Sequence, residues 1–557
     1  MQTKNTIFMK LPLLLLMAAL PMASMAQYRS QVWCPDNGDG TYTNPVINAD
    51  YSDPDVCVGP SGTDFYLTAS SFNCVPGLPI LHSNDLVNWK IVGHAIKKMV
   101  PEEVFDKAAH GMGVWAPSIR YHNGEYYIYW GDPDHGVFMV KTKDPAGEWE
   151  EPVLVMKSKG VIDTTPLWDD DGRCYLVFGW AGSRAGFKSV LSVCELSADG
   201  TKAIGNPVIV FDGNNTNRTV EGPKFYKIDG WYWILAPAGG VPTGWQLAMR
   251  SKSPFGPYES KMVLAQGKSE VNGPHQGGLI RTSQGEDWFL HFQDKGPYGR
   301  VVHLQPVNWV KGWPVMGVDK DGDLCGDPVT RYKKPNVGKT YPIQNPVESD
   351  EFNEPVLGKQ WQWHANYNPK FGQPTPYGFY RLYTNKLSEN FVNLWEAPNL
   401  LLQKTPADSF TATAKIKFAA KKEGQYAGII MMGLDYSALV VKRVGDKFQL
   451  QQVTCHKADK GKPEEVKVIA ELDATDKDKI DYEPAIYEEI YLRLTVKDGA
   501  KLTFAYSKNG KKFETAGDEF QMREGKWIGA KFGFVAEEPA GKAPSGFLDV
   551  DWIRVTK

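Results

Sequence analysis

The sequence predicts an all-β chain: a five-bladed β-propeller over residues 27–335, followed by a β-sandwich over residues 336–557. Three observations carry this. A turn followed by a strand dense in Tyr, Trp and Phe recurs five times: DFYLTAS from Asp64, EYYIYWG from Glu125, RCYLVFG from Arg173, WYWILAP from Trp231 and DWFLHFQ from Asp287. The spacing is about 50 to 60 residues, the length of a propeller blade. After about Pro335 that motif stops, and shorter alternating strands such as FTATAKIKFAA and IYLRLTVKD take over.

Each aromatic strand follows a hairpin signal: PSGT, HNG, DDDG, IDG or SQGE. A shorter strand precedes each turn, beginning at DPDVCV, WAPSIRY, TPLWD, GPKFYK and GGLIR, and further strands follow. Three to four strands per unit, repeated five times without helical periodicity, describe propeller blades better than one sandwich or barrel.

Length and composition bound the rest. The chain has 557 residues, enough for two or three domains, and 12% of them are aromatic, with 18 Trp. A net charge of -3 gives no pull toward nucleic acid or an anionic membrane. Lys4 and Lys10, the apolar run Leu11 to Leu20 and the small-residue site Ser24-Met25-Ala26 read as a signal peptide over residues 1–26. That places the mature protein in the periplasm or outside the cell, with no membrane segment after the leader is removed. Seven cysteines without metal-site spacing read mostly as buried hydrophobes, so the fold should not depend on disulfides.

In a propeller the first strand of each blade lines the central channel. Stepping back about a dozen residues from each aromatic strand reaches Asp53, Trp115, Asp163, Glu221 and His275. Core packing would place Val, Ile or Ala at such positions. Carboxylates converging beside aromatics suit glycoside hydrolysis, in which one carboxyl protonates the leaving oxygen and another activates water or attacks. Trp115 and Phe72 can stack on a sugar face. Each residue also has a plainer reading: Asp53 precedes a proline, as turn aspartates often do, and His275 could be a hydrogen-bonded core histidine or could hold a metal or a water. Of the neighbours of Asp53, Asp55 is expected to be hydrogen-bonded deeper along the strand, and Asp50 belongs to the incoming loop, outside the site. Asp169 to Asp171, DNGDG at Asp36 and DKDGD at Asp319 read as turns, the last two lacking the length and closing Glu of a calcium loop.

NPVINADYSDPDV, SSFNCVPGLPILHSNDLVNW, VWAPSI, IDTTPLWDDDG and TVEGPKFYK, in that order, resemble glycoside hydrolase family 43. The resemblance implies a five-bladed propeller that inverts the anomeric centre, acting mainly as β-xylosidase, α-L-arabinofuranosidase or arabinanase. It implies Asp53 as general base, Glu221 as general acid, and Asp163 as the carboxylate that orients the acid and raises its pKa. Arg300, in YGRVVHLQPV, resembles an arginine that binds sugar hydroxyls; Phe72 and Trp115 match walls of the terminal sugar site. His275 matches an axial histidine that supports a calcium ion through water, although PHQGG fits that pattern loosely. The second domain resembles the lectin-like jelly-roll that braces the propeller in family 43 xylosidases and can lend a loop to the active-site mouth; a packing role is expected for it ahead of carbohydrate binding of its own.

The function expected is exo-acting, inverting release of xylose or arabinose from plant polysaccharides or oligosaccharides. A retaining fructan hydrolase would show NDPNG, RDP and EC motifs, where DPD, IDTTP and VEGP stand instead. A non-catalytic glycan-binding protein would have no use for all three carboxylates.

Overall fold

A computed structural model describes residues 27–480, 483–539 and 546–557. The leader predicted at residues 1–26 lies outside the described residues. Five antiparallel sheets of four strands each follow one another along the chain. Their first strands are Asp55–Val58, Trp115–His122, Val161–Trp168, Lys224–Ile228 and His275–Arg281. The aromatic motifs form the second strands, Phe65–Thr68, Glu125–Asp132, Cys174–Trp180, Trp231–Ala238 and Asp287–Asp294. They pack between blades: Tyr126 and Trp130 join blade one's Leu78 and Ile80, and Trp233 and Phe289 join blades four and five.

The ring closes without a disulfide, since all seven cysteines are free thiols. The first strands of blades five and one meet so closely that a Cβ at Gly278 would lie 2.6 Å from Asp55 Oδ1. Farther out, Thr41–Thr43 pairs with Arg331–Lys333, and Ile47 exchanges backbone hydrogen bonds with Val302 of blade five at 3.2 and 3.0 Å. The chain's two ends of the propeller thus latch onto each other.

The C-terminal domain is a sandwich of two eight-stranded sheets. Phe410–Ala420 shows how the sequence builds it: Phe410, Ala412, Ala414, Ile416 and Phe418 are buried, while the Thr and Lys residues between them are partly exposed. That two-residue period puts one side of the strand in the core. The inner faces meet through Phe418, Phe448, Leu492, Phe532 and Phe534. No helix among the described residues is long and apolar enough to cross a membrane.

The sandwich is fastened to the propeller by backbone as well as side chains. Val75 and Trp363 form a bridge, Asn73 Nδ2 donates to the His364 carbonyl at 2.7 Å, and Lys531 Nζ lies 3.0 Å from Cys74 Sγ. Asp50 Oδ2 accepts from Gly529 N at 3.0 Å.

Candidate active site at one end of the propeller axis

Every blade enters the axis through a residue in the left-handed region: Asp53 (φ 56°), Ala116 (34°), Asp163 (60°), Gly222 (59°) and Gln276 (42°). L-residues other than Gly, Asn and Asp rarely sit there, so a recurrence once per blade is a designed kink. Pairing between first and second strands slips at this kink in blades two, three and five. The kink turns side chains toward the channel mouth.

This corrects the register read from the sequence. Asp53 and Asp163 occupy the kink itself. Trp115, Glu221 and His275 each stand one residue before it, equivalent to Ser52 and Ile162 in the other blades. The five residues converge, but on two adjacent positions rather than one. At Gly222 the glycine is required twice over: φ is positive, and a Cβ would lie 2.5 Å from Gln276 Cδ.

Asp53, Asp163, Glu221, Phe72, Trp115 and Arg300 all line one pocket of about 120 Å³. Asp53 Oδ2 accepts from Ser52 Oγ at 2.7 Å and from Ser70 Oγ at 2.6 Å. Ser70 is itself polarised, because its oxygen accepts from Ala116 N at 2.7 Å. Oδ1 of Asp53 faces Arg300 Nη1 at 3.5 Å, and the same nitrogen donates to Ser52 Oγ at 2.8 Å. Asp163 Oδ2 accepts from Gly222 N at 2.7 Å, which ties it to the backbone beside Glu221.

The two remaining carboxyls hold protons unusually well. Burial, then the charges of Asp163 and Asp53, push Glu221 up to about 8. Burial, then Asp53, push Asp163 up to about 7, against the Gly222 N–H and the cationic Lys224 and Arg300. They titrate as a pair. Glu221 is the member that keeps a proton at neutral pH, since Asp163 has the backbone donor. Its side chain remains 28% exposed through the pocket, so the proton can reach a substrate.

Aromatics set the walls. Phe72 (φ 51°) is held by mutual backbone bonds with Val114 and meets Trp115 edge-on at 6.2 Å. Trp115 donates Nε1–H to the Gly111 carbonyl at 2.9 Å, and Arg184 stacks over it at 5.7 Å. Trp527, from the sandwich, stands 6.0 Å from Trp115 and completes the rim while 47% exposed.

Several lining residues escaped sequence reasoning. Gln276 follows His275 in PHQGG and was findable there; Val241 and Ile162 carry no chemical signal. Trp527 lies 474 positions beyond Asp53 in another domain, and no local pattern marks it. Asp50, placed outside the site, does not line the pocket but supports it: Oδ1 accepts from Arg300 N at 2.8 Å while Oδ2 holds Gly529, two residues past Trp527. Asp55 is structural, as expected, accepting from Ile119 N at 2.9 Å and Arg120 Nη1 at 2.6 Å.

His275 is 1% exposed, its Nε2 is 3.6 Å from Glu221 Oε1, and neither ring nitrogen has a hydrogen-bond partner. Burial first, then Arg300 and His291, lower it to about 3, so the ring is neutral and able to accept or ligate. Calcium takes six to eight oxygen ligands. Among the described residues, the only cluster of three His, Cys, Asp or Glu donors is Asp319, Asp321 and Asp323, which lie in a turn. The donor set at His275 therefore does not fit a cation caged by protein, and fits at most an ion that is ligated chiefly by water.

The chain was compared with known proteins. The family model for glycosyl hydrolases family 43 matches residues 42–314, and that for the beta xylosidase C-terminal concanavalin A-like domain matches residues 349–556. A beta-xylosidase of Formosa agariphila is 32% identical over 96% of this chain and 93% of its own length. A non-reducing end alpha-L-arabinofuranosidase of Bacteroides ovatus is 32% identical over 74% of this chain and 78% of its own. Among solved structures, a family 43 protein of Bacillus licheniformis superposes with a TM-score of 0.77 at 25% identity, over 93% of this chain and 99% of that one. With a propeller of five kinked blades, three carboxylates in one pocket and a concanavalin A-like second domain, the chain belongs to glycosyl hydrolases family 43 and is a glycoside hydrolase.

Proposed function

We propose that the enzyme is an exo-acting, inverting pentosidase that releases xylose or arabinose from the non-reducing ends of plant polysaccharides or oligosaccharides. The observation that carries this is the small pocket itself: about 120 Å³, walled by Phe72, Trp115 and Trp527, with all three carboxylates facing inward. It has room for a terminal sugar ring and not for a chain passing through. The similarity to a beta-xylosidase and to an arabinofuranosidase supports a pentose.

In this reading the terminal sugar stacks on the aromatic walls, and Arg300 binds its hydroxyls. Glu221, protonated at neutral pH, gives its proton to the glycosidic oxygen as the bond breaks. Asp53 takes a proton from a water on the opposite face through Oδ1, the oxygen left clear by the two serine hydroxyls. Asp163 touches neither bond; it keeps Glu221 basic through like charge and fixes it through Gly222. Neutral His275 orders water beside Glu221. Calcium at that place would supply charge compensation through its water shell, and no step depends on it. The leader read at residues 1–26 supports action in the periplasm or medium.

Turnover of nitrophenyl xyloside and nitrophenyl arabinofuranoside tests the reading, with Asp53→Asn as control. Hydrolysis of one or both, lost in the variant, is expected. No turnover of any pentoside, together with tight glycan binding, would leave a lectin.

A further inference from the structure

The sandwich carries a second surface suited to sugar, remote in sequence from the carboxylate pocket. It is a groove of about 450 Å³ on the outer side of one sheet, nearly four times the volume of the active-site pocket. Its aromatic part has two layers. Phe547 and Tyr487 flank Ala419 in one cross-strand row, with only a methyl group between the rings. Tyr377 and Phe379 stack on each other at 6.0 Å and 26°, and Tyr377 is 79% exposed. Arg381 links the layers, 3.7 Å over Phe547 and 5.8 Å from Phe379.

The polar part is balanced. Two residues along the same strands from the ring row lie Asp549, Lys417 and Glu489, themselves in register, and Asp551 pairs with Lys415 at 2.8 Å. Three basic side chains, Arg381, Lys415 and Lys417, thus face three acidic ones, Asp549, Asp551 and Glu489. A groove with no net charge has no preference for a polyanion or a basic peptide. It offers the exposed Tyr377 ring for C–H surfaces and charged side chains as donors and acceptors for hydroxyls, which together describe a neutral polyol built of flat-faced rings. Packing does not need Tyr377, whose ring is mostly in solvent, and the core of the sandwich lies on the other side of this sheet.

We propose that this groove is a second glycan-binding site, for a run of neutral sugar residues in the polysaccharide whose ends the propeller cleaves. This rests on the pentosidase reading for the identity of the polymer. The site would hold the enzyme on its substrate between cleavages and leave the chemistry untouched.

The test uses the full chain and a Tyr377→Ala/Phe379→Ala variant. Retention on insoluble arabinoxylan is measured in the presence of saturating xylose and arabinose, which occupy the pocket. Nitrophenyl pentoside hydrolysis is measured alongside. The expected result is retention of the wild type, a loss of roughly tenfold or more in the variant, and unchanged nitrophenyl turnover, because neither residue touches the pocket. Wild type that is not retained, or a variant retained equally well, would overturn the proposal. Absence of nitrophenyl turnover in the wild type would instead count against the pentosidase reading, and retention would still decide the groove.

Discussion

Two rings of residues, two positions apart along the same five blade entries, do opposite things. The upper ring is Asp53, Ala116, Asp163, Gly222 and Gln276; the lower is Asp55, Ser118, Thr165, Lys224 and Gly278. Lower-ring groups grip other blades, adjacent or across the axis. Asp55 binds Ile119 and Arg120 of blade two, Thr165 Oγ1 donates to the Pro223 carbonyl of blade four at 2.8 Å, and Lys224 Nζ donates to the Pro117 carbonyl of blade two at 2.9 Å. In the upper ring the ion pair of Asp53 is looser, 3.5 Å to Arg300, against 2.6 Å from Asp55 to Arg120. The same residue type on the same strand staples the ring at one level and stays available for chemistry at the next. What separates them is how closely the cation of the adjoining blade approaches: Arg120 hydrogen-bonds Asp55, whereas Arg300 donates to Ser52 and only faces Asp53.

The sharpest way to break this comparison is to remove one charge from each ring. Asp53→Asn should lower kcat by roughly a thousandfold, the scale of general base loss, with unfolding unchanged. Asp55→Asn should do the reverse. It leaves the Arg120 guanidinium in a buried site without its partner, at a cost of about 3 kcal/mol in denaturant unfolding, with near-normal turnover per folded molecule. Equal activity losses in both would erase the distinction.

Glu221→Gln should lower kcat/KM by a comparable roughly thousandfold, and less on substrates with an activated leaving group that needs no proton. Its stability should move oppositely. A carboxyl raised from 4.5 to about 8 binds more protons folded than unfolded, so wild type loses stability relative to the variant as pH rises between those values. Melting temperatures should coincide near pH 4 and diverge by roughly a few degrees by pH 8, with the variant higher. A variant less stable at pH 8 would mean that Glu221 is held ionised.

Asp163→Asn gives a smaller effect of a different kind. With one like charge gone, the pKa of Glu221 falls, so the alkaline limb of kcat/KM should shift to lower pH, and turnover at neutral pH should drop roughly tenfold. A limb that stays in place would show that burial alone sets it. Smallest is Trp527→Ala, which removes a rim and no chemistry: KM should rise about threefold to tenfold with kcat nearly kept.

The sequence exposed most of this through repetition. Five aromatic strands at blade spacing announced the propeller, because each blade must bury the same face against the next. The carboxylates at strand entries were visible because Asp and Glu are wrong for a core. The two-position register was not legible: a kink of one residue changes no composition, and DPD, VEGP and PHQGG look equivalent as strings. Trp527 and the support given by Asp50 were hidden for another reason. They depend on how the sandwich seats on the propeller, a contact between residues 479 positions apart. The outer groove of the sandwich was hidden likewise, since its rings come from three separate segments that only the sheet brings together.

The role of Asp53 at the head of the upper ring is the central claim, and the anomer first released tests it most directly. Proton NMR during early turnover of a β-xyloside or an α-arabinofuranoside should show the product with inverted configuration before mutarotation, the outcome of the proposed role for Asp53 as a base that activates water and does not bond to sugar. A first product of retained configuration would contradict the account and make Asp53 a nucleophile.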